Sequence, residues 1–326
     1  MLFRKVSSSL LPLLHTAVGS PAPSRSSEAS LRRAAATIPQ GAKWQIEIHD
    51  PLDFSGSGPL APADAKVWTL DLWNAIKKGD DGKTTVQKLR ERNGNDIVVI
   101  CYFNGGGVQI WDEDYDAFAN YKYGGLPGWE GEYYVDVSAP EVVRLMRARV
   151  ANGIAGGCDG FDPDNVDAYS QGLTSKDGKT KLDEAAYVAF LAALAEPIHA
   201  AGKLLGQKNA GDLTEALLAG GTTDFAVLEG CIADNFCEDF RSAYVEKGLA
   251  VLQIEYPASV QLPESEEDNE DAVCPTAKAS EADFRTVCGS PIQGFSTVIK
   301  HDGGVCGLDG FVEYCDGSVV ITPTEK

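Results

Sequence analysis

Nowhere in these 326 residues is there a run of eighteen apolar side chains, so no segment reads as a helix that would cross a bilayer. No Cys-x-x-Cys occurs, and the four histidines, His15, His49, His199 and His301, are scattered. The closely spaced ligand pairs of a structural zinc site are therefore missing. Basic side chains are scarce: 28 Lys and Arg stand against 48 Asp and Glu, for a net charge of −20. The shortage is uneven. Residues 1–42 carry Arg4, Lys5, Arg25, Arg32 and Arg33 against Glu28 alone, a net +4, which leaves −24 for the remainder. A body that acidic repels nucleic acid and anionic membrane surfaces and favours neutral or cationic partners.

Eight cysteines in such a body point to an oxidising compartment. Local loop closure would pair Cys231 with Cys237, Cys274 with Cys288, and Cys306 with Cys315, leaving Cys101 and Cys158 on neighbouring strands. That is one of about 105 connectivities that eight cysteines allow. The N-terminus reads as an export leader: Met1-Leu-Phe-Arg-Lys5 is a short positive head before the modestly apolar stretch 6–19. Its Arg- and Ser-rich continuation also fits an organellar presequence. The cysteines favour secretion, and residues 1–42 are excluded from the fold on either reading.

Eight short apolar or β-branched runs follow, at 44–49, 67–73, 97–103, 160–165, 203–209, 225–230, 249–256 and 295–301. Helical periodicity fills most gaps, at 84–93, 140–155, 183–201, 213–219 and 235–247. Eight strand-helix alternations predict an α/β fold, a (β/α)8 barrel of the TIM type over residues 43–301. Residues 302–326, with Cys306 and Cys315, are expected to form a disulfide-linked tail beyond it. The acidic run 264–271 reads as a solvated loop between the last two units.

A barrel places its chemistry at the carboxyl ends of its strands. Those ends read His49-Asp50, Asp71, Tyr102, Asp162-Pro-Asp-Asn165, Lys208-Asn209, Glu229, Glu255-Tyr256 and Lys300-His301. Asp159, Asp162, Asp164 and Asp167 crowd one strand end, and carboxylates seldom crowd without a cation or chemistry to offset their repulsion. Glu229 closes a second strand two βα units later, with Lys208-Asn209 on the strand between. Hydrolysis of a glycosidic bond requires two carboxyl groups, one holding a proton for the leaving oxygen and one ionised. Glu229, on an apolar strand, suits the first role. Asp164 suits the second, with Asn165, Lys208 or Asn209 as donors. Asp71, Asp162, Asp167 and Glu255 are candidates for sugar hydroxyls or an ammonium, and Trp111, Trp129, Tyr133 and Tyr134 for stacking on sugar rings. A calcium site competes for the Asp cluster, but the twelve-residue loop with a central Gly and terminal Glu is absent. A carbohydrate-binding barrel without turnover is the alternative from another class.

Trp44, Asp71, Cys101-Tyr102-Phe103, Gly128-Trp129, Val135-Asp136, Gly157-Cys-Asp-Gly160, Pro163-Asp-Asn-Val-Asp167, Gln207-Lys-Asn209, Glu229 with Cys231, and Ile254-Glu-Tyr256 occur in fixed order. In these residues the chain resembles glycoside hydrolase family 114, the endo-α-1,4-polygalactosaminidases. The resemblance implies a barrel that cuts α-1,4-linked galactosamine chains by a retaining mechanism, with Asp164 as nucleophile and Glu229 as acid/base. The candidate substrate contacts at the strand ends and in the loops are Asp71, Tyr102, Asp162, Asn165, Asp167, Lys208, Asn209, Glu255, Tyr256 and Trp129. No cofactor or metal is expected, and the expected partner is a cationic polysaccharide met by a secreted monomer. The chain departs from the family's pattern at Asp162, where Glu is usual, and at Asn104, Gln109 and Asp112, where Ser, Glu and Arg are usual. A different α-linked polysaccharide thus stays open as substrate.

Overall fold

Side chains in a strand alternate between two faces, and in a closed sheet those faces become the inside and the outside of a barrel. The computed structural model describes residues 36–267, 269–290 and 292–325. The strands of the described residues begin with β1 (Trp44–Glu47), β2 (Val67–Asp71) and β3 (Val98–Asn104). An inserted trio follows, β4 (Gly107–Gln109), β5 (Lys122–Leu126) and β6 (Trp129–Val135). Next come β7 (Gly160–Asp164), β8 (Leu204–Lys208), β9 (Phe225–Glu229), β10 (Ala250–Glu255) and β11 (Phe295–Ile299), and a hairpin of β12 (Phe311–Tyr314) and β13 (Val319–Ile321) ends the chain. The helices are α1 (Leu72–Ile76), α2 (Thr85–Asn93), α3 (Pro140–Gly156), α4 (Glu184–Ala200), α5 (Thr214–Ala219), α6 (Cys237–Ala243) and α7 (Glu281–Cys288).

All eight expected strands form, and they pair in parallel in the order β1-β2-β3-β7-β8-β9-β10-β11. This is the α/β barrel anticipated from the alternation, although the first connection, 48–66, holds no helix. Trp44, Ile46, Val67, Ile100, Phe225, Val227, Leu252, Ile254 and Val298 fill the interior as one buried cluster. The alternate residues Trp68, Leu70, Val99, Phe103, Phe161 and Leu205 face outward and pack with Leu72, Val86, Val142 and Leu191 of α1 to α4. Each such side chain, fully buried, contributes roughly 1.5–3 kcal/mol. Gly206 makes the floor possible, because a Cβ there would lie 2.7 Å from the Phe225 ring.

The helix boundaries have local causes. Thr84 and Gln87 form a capping box before α2, Asp183 caps α4, and Pro140 opens α3. α3 stops at Gly157, whose φ of +106° lies where other residues are strained.

Among the described residues no ladder joins β1 to β11, so side chains close the barrel. The Trp44 indole donates to the Ser296 carbonyl at 2.7 Å, and the Lys300 amine donates to the Ile46 carbonyl at 2.8 Å. The terminal residues take part. β12 pairs antiparallel with β11, β13 with β12, and Tyr314 donates to the Trp44 carbonyl at 3.0 Å. The stretch expected to trail beyond the barrel is thus strapped over its seam.

Two of the cysteine pairs expected from local closure are corrected. Cys101–Cys158 and Cys231–Cys237 form, but Cys274 bonds Cys306 and Cys288 bonds Cys315. The reason is the hairpin, which folds back on β11 and carries Cys315 to the end of α7. The first 35 residues, where the export leader was read, lie outside the described residues. Residues 36–42, counted with that leader, pack on the body: Gln40 donates to the carbonyls of Val245 and Leu249 at 2.7 and 2.9 Å.

Candidate active site

Period two puts Asp71, Tyr102, Asp162, Asp164, Lys208 and Glu229 on the inward face of their strands, above the apolar floor. Lys208 is the centre. Its side chain is buried, and its amine lies 3.3 Å from Asp164 Oδ2, 3.2 Å from Glu229 Oε2 and 3.8 Å from Asp162 Oδ2. Burial disfavours the ammonium, yet Asp164, Glu229 and Asp162 together hold its pKa above that of an ordinary lysine. It is charged at any working pH. Because one nitrogen touches both, the facing oxygens of Asp164 and Glu229 are at most 6.5 Å apart.

Each of the two carboxylates is oriented by its own donors. Asp164 accepts from the Tyr102 hydroxyl at 2.8 Å and from the backbone N–H of Asn165 at 2.7 Å. Glu229 accepts from the Tyr256 hydroxyl at 2.5 Å. Burial, and the carboxylates they face, push both phenols well above the usual tyrosine range, so they remain donors. Asn165 and Asn209 have φ of +57° and +41°, left-handed conformations that asparagine tolerates better than most residues. Asn209 uses its turn to accept from the backbone N–H of Glu229 at 3.0 Å. The loop after β3 closes over the back of Asp164: Gly105 and Gly106 donate to its carbonyl, and a Cβ on Gly106 would sit 1.8 Å from the Asn165 oxygen. Asp162 lies beneath, fully buried, and among the described residues neither carboxylate oxygen has a hydrogen-bond partner. Burial pushes its pKa up to about 7, against the opposing pull of Lys208.

A cleft of about 760 Å³ opens above these groups. Six carboxylates line it, from Asp71, Glu132, Asp164, Asp167, Glu229 and Asp302, and no lysine or arginine among the described residues does. Trp111 and Trp129 stand at the wall, each more than half exposed. Asn165, Asn209, Tyr102 and Tyr256 also face it. Asp71 has a second task, capping α1 through the N–H of Asn74, and burial raises its pKa to about 6.

Glu255 stands apart from this ring. It alternates to the outer face, where its carboxylate accepts from Ile232 N–H at 2.9 Å and the Gln253 amide at 2.7 Å. Lys300 and His301, at the last strand end, serve the seam: His301 stacks on Phe311 and meets Asp309 at 3.0 Å. Asp112 turns to the buried Arg149 at 2.7 Å and to the Trp73 indole.

Two cleft acids escaped the reading of the sequence. Glu132 comes from β6, in an insertion whose strands have no regular alternation. Its carboxylate accepts from Asn104 and Gln109, each at 2.9 Å, and burial raises its pKa. The signal was in those two amides, which depart from the family pattern together. Asp302 follows β11, and nothing local marks it.

Two groupings have the proximity of a metal site, Cys231–Cys237–Glu255 and Cys274–Cys306–Asp309, but in both the cysteines are joined as disulfides and offer no thiolate.

The sequence model of glycoside-hydrolase family GH114 matches residues 25–320. No curated protein matches the chain. Among solved structures, Aspergillus fumigatus Ega3 in complex with galactosamine is 28% identical, over 87% of this chain and 98% of that one, with a TM-score of 0.66. The glycoside hydrolase domain of PelA from Pseudomonas aeruginosa shares the fold, at 15% identity over 80% of this chain and 94% of that one, with a TM-score of 0.53.

Proposed function

The chain belongs to glycoside-hydrolase family GH114, and on that premise we propose that it is a retaining endo-glycosidase acting on α-1,4-linked galactosamine polymers. In this reading Glu229 gives its proton to the glycosidic oxygen as the bond to the anomeric carbon breaks. Asp164 attacks that carbon and forms a glycosyl ester, and a water deprotonated by Glu229 then releases the sugar. The observation that carries the reading is the shared contact of both carboxylates with Lys208, which holds their facing oxygens, Asp164 Oδ2 and Glu229 Oε2, no more than 6.5 Å apart. Retaining enzymes place the pair about 5 Å apart, whereas inverting ones need about 6.5–9.5 Å to admit a water.

The charge of the cleft supports the substrate class. Six carboxylates, with no opposing lysine or arginine on the wall among the described residues, attract a polymer that bears an ammonium on each deacetylated unit. The galactosamine held by Ega3 is in keeping with this. Four disulfides fit action outside the reducing cytosol.

The test is incubation with partly deacetylated α-1,4-galactosaminan. Wild type releases oligomers whose new ends appear first as the α-anomer by NMR, and Asp164→Asn and Glu229→Gln each lose at least a thousandfold in kcat. A first-formed β-anomer would reject the retaining mechanism. Binding without release would make the protein a lectin.

A further inference from the structure

A second hollow, of about 430 Å³, adjoins the cleft and shares Glu229, Tyr256 and Asp302 with it. The two differ in one respect that matters chemically. Asp164 lines only the large cleft, whereas Glu229 lines both. An acid must touch the bridging oxygen, while the nucleophile must touch the anomeric carbon of the sugar on the other side of that oxygen. The group reached by the acid but not by the nucleophile is the leaving group. We infer that the second hollow is the leaving-group side of the binding cleft, taking the amino-sugar unit whose oxygen Glu229 protonates. This rests on the functional reading above and gives the bound chain a direction: its non-reducing part lies along Trp111 and Trp129, and its reducing part runs past Glu229.

The walls suit that occupant. Asp234, Asp283 and Asp302 present carboxylates to an ammonium, and Ile232, Pro257 and Val287 offer apolar surface to a sugar ring. The wall nearest the bond is held rigid. Directly after Glu229, the Asp234 N–H donates to the Gly230 carbonyl at 3.0 Å, and Cys231–Cys237 ties the ends of the turn. Glu255 anchors it from behind through Ile232. Glu255 also lines this hollow, so the strand end expected to contact substrate borders it. Asp234 itself is exposed on this turn, so its charge can be changed without disturbing the core.

The experiment compares two substrates, an α-1,4-galactosamine tetramer and α-galactosaminyl fluoride, whose leaving group puts no sugar in the hollow. Asp234→Lys is expected to lower kcat/KM on the tetramer at least tenfold more than on the fluoride, with Asp234→Glu restoring the tetramer rate. Equal losses on both substrates would overturn the inference, since the charge would then act on the glycone side or on Glu229 itself. No loss on either would overturn it as well. A wild type inactive on both substrates would instead reject the galactosaminidase reading, and the inference would fall with it.

Discussion

Replacing Asp162 by Asn should make the protein more stable at neutral and alkaline pH, although it removes one of the partners of a buried lysine. Asp162 is fully buried and its oxygens have no hydrogen bond among the described residues. Burial pushes its pKa to about 7, even with Lys208 3.8 Å away. In the unfolded chain the same carboxyl ionises near 3.9. The folded state therefore binds this proton roughly a thousandfold more tightly, a difference of about 4 kcal/mol. The sign follows from the direction. A carboxyl raised in the fold lends stability that is complete below pH ~4, is lost at up to ~1.4 kcal/mol per pH unit as pH rises through ~7, and changes no further above that. Asn has nothing to ionise, and Lys208 keeps Asp164 and Glu229 at 3.3 and 3.2 Å. Urea unfolding with disulfides intact, run from pH 4 to 8, should show wild type and Asp162→Asn nearly equal at pH 4. The variant should lead by a few kcal/mol at pH 8, and the difference between them removes the contributions of other groups. Parallel curves across that range would refute the reasoning, because they would mean that Asp162 ionises as readily inside the barrel as in water.

The other two predictions concern the same charge arrangement. Lys208→Met should destabilise the fold by about 3–5 kcal/mol at pH 7, since it strands the buried Asp162 carboxylate. The loss should shrink at pH 4, below the raised pKa of Asp162, about 7, where that carboxyl carries no charge to strand, which thermal unfolding at the two pH values would reveal. Raising NaCl from 0.05 to 0.5 M shortens the screening length from roughly 14 to 4 Å and should raise KM for galactosamine oligomers several-fold. A KM indifferent to salt would remove the acidic cleft as the source of substrate attraction.

Much of this was legible because it is local. Eight apolar runs with helical patterns between them specify strands and helices through periodicities of two and 3.6, which need only neighbouring residues. The strand ends then identify Asp164, Lys208 and Glu229, since once a barrel is accepted its carboxyl face is fixed by chain direction. The order of β7, β8 and β9 places Lys208 between the two carboxylates, as the spacing implied.

What the tertiary structure decided is everything that depends on where a loop lands. Glu132 reaches the cleft because the inserted sheet folds back over β3, and its two amide partners lie 28 and 23 residues away. The pairing of Cys274 with Cys306, and of Cys288 with Cys315, follows from a hairpin that closes the seam between β1 and β11. Glu255 and Tyr256 are adjacent in sequence, yet one braces a turn from outside and the other bonds Glu229 within. Sequence alone determined which segments become strands and which acids end them. Barrel curvature and long-range packing determined which of those acids share a cavity, because no local pattern encodes the distance between two side chains that only closure of the sheet brings together.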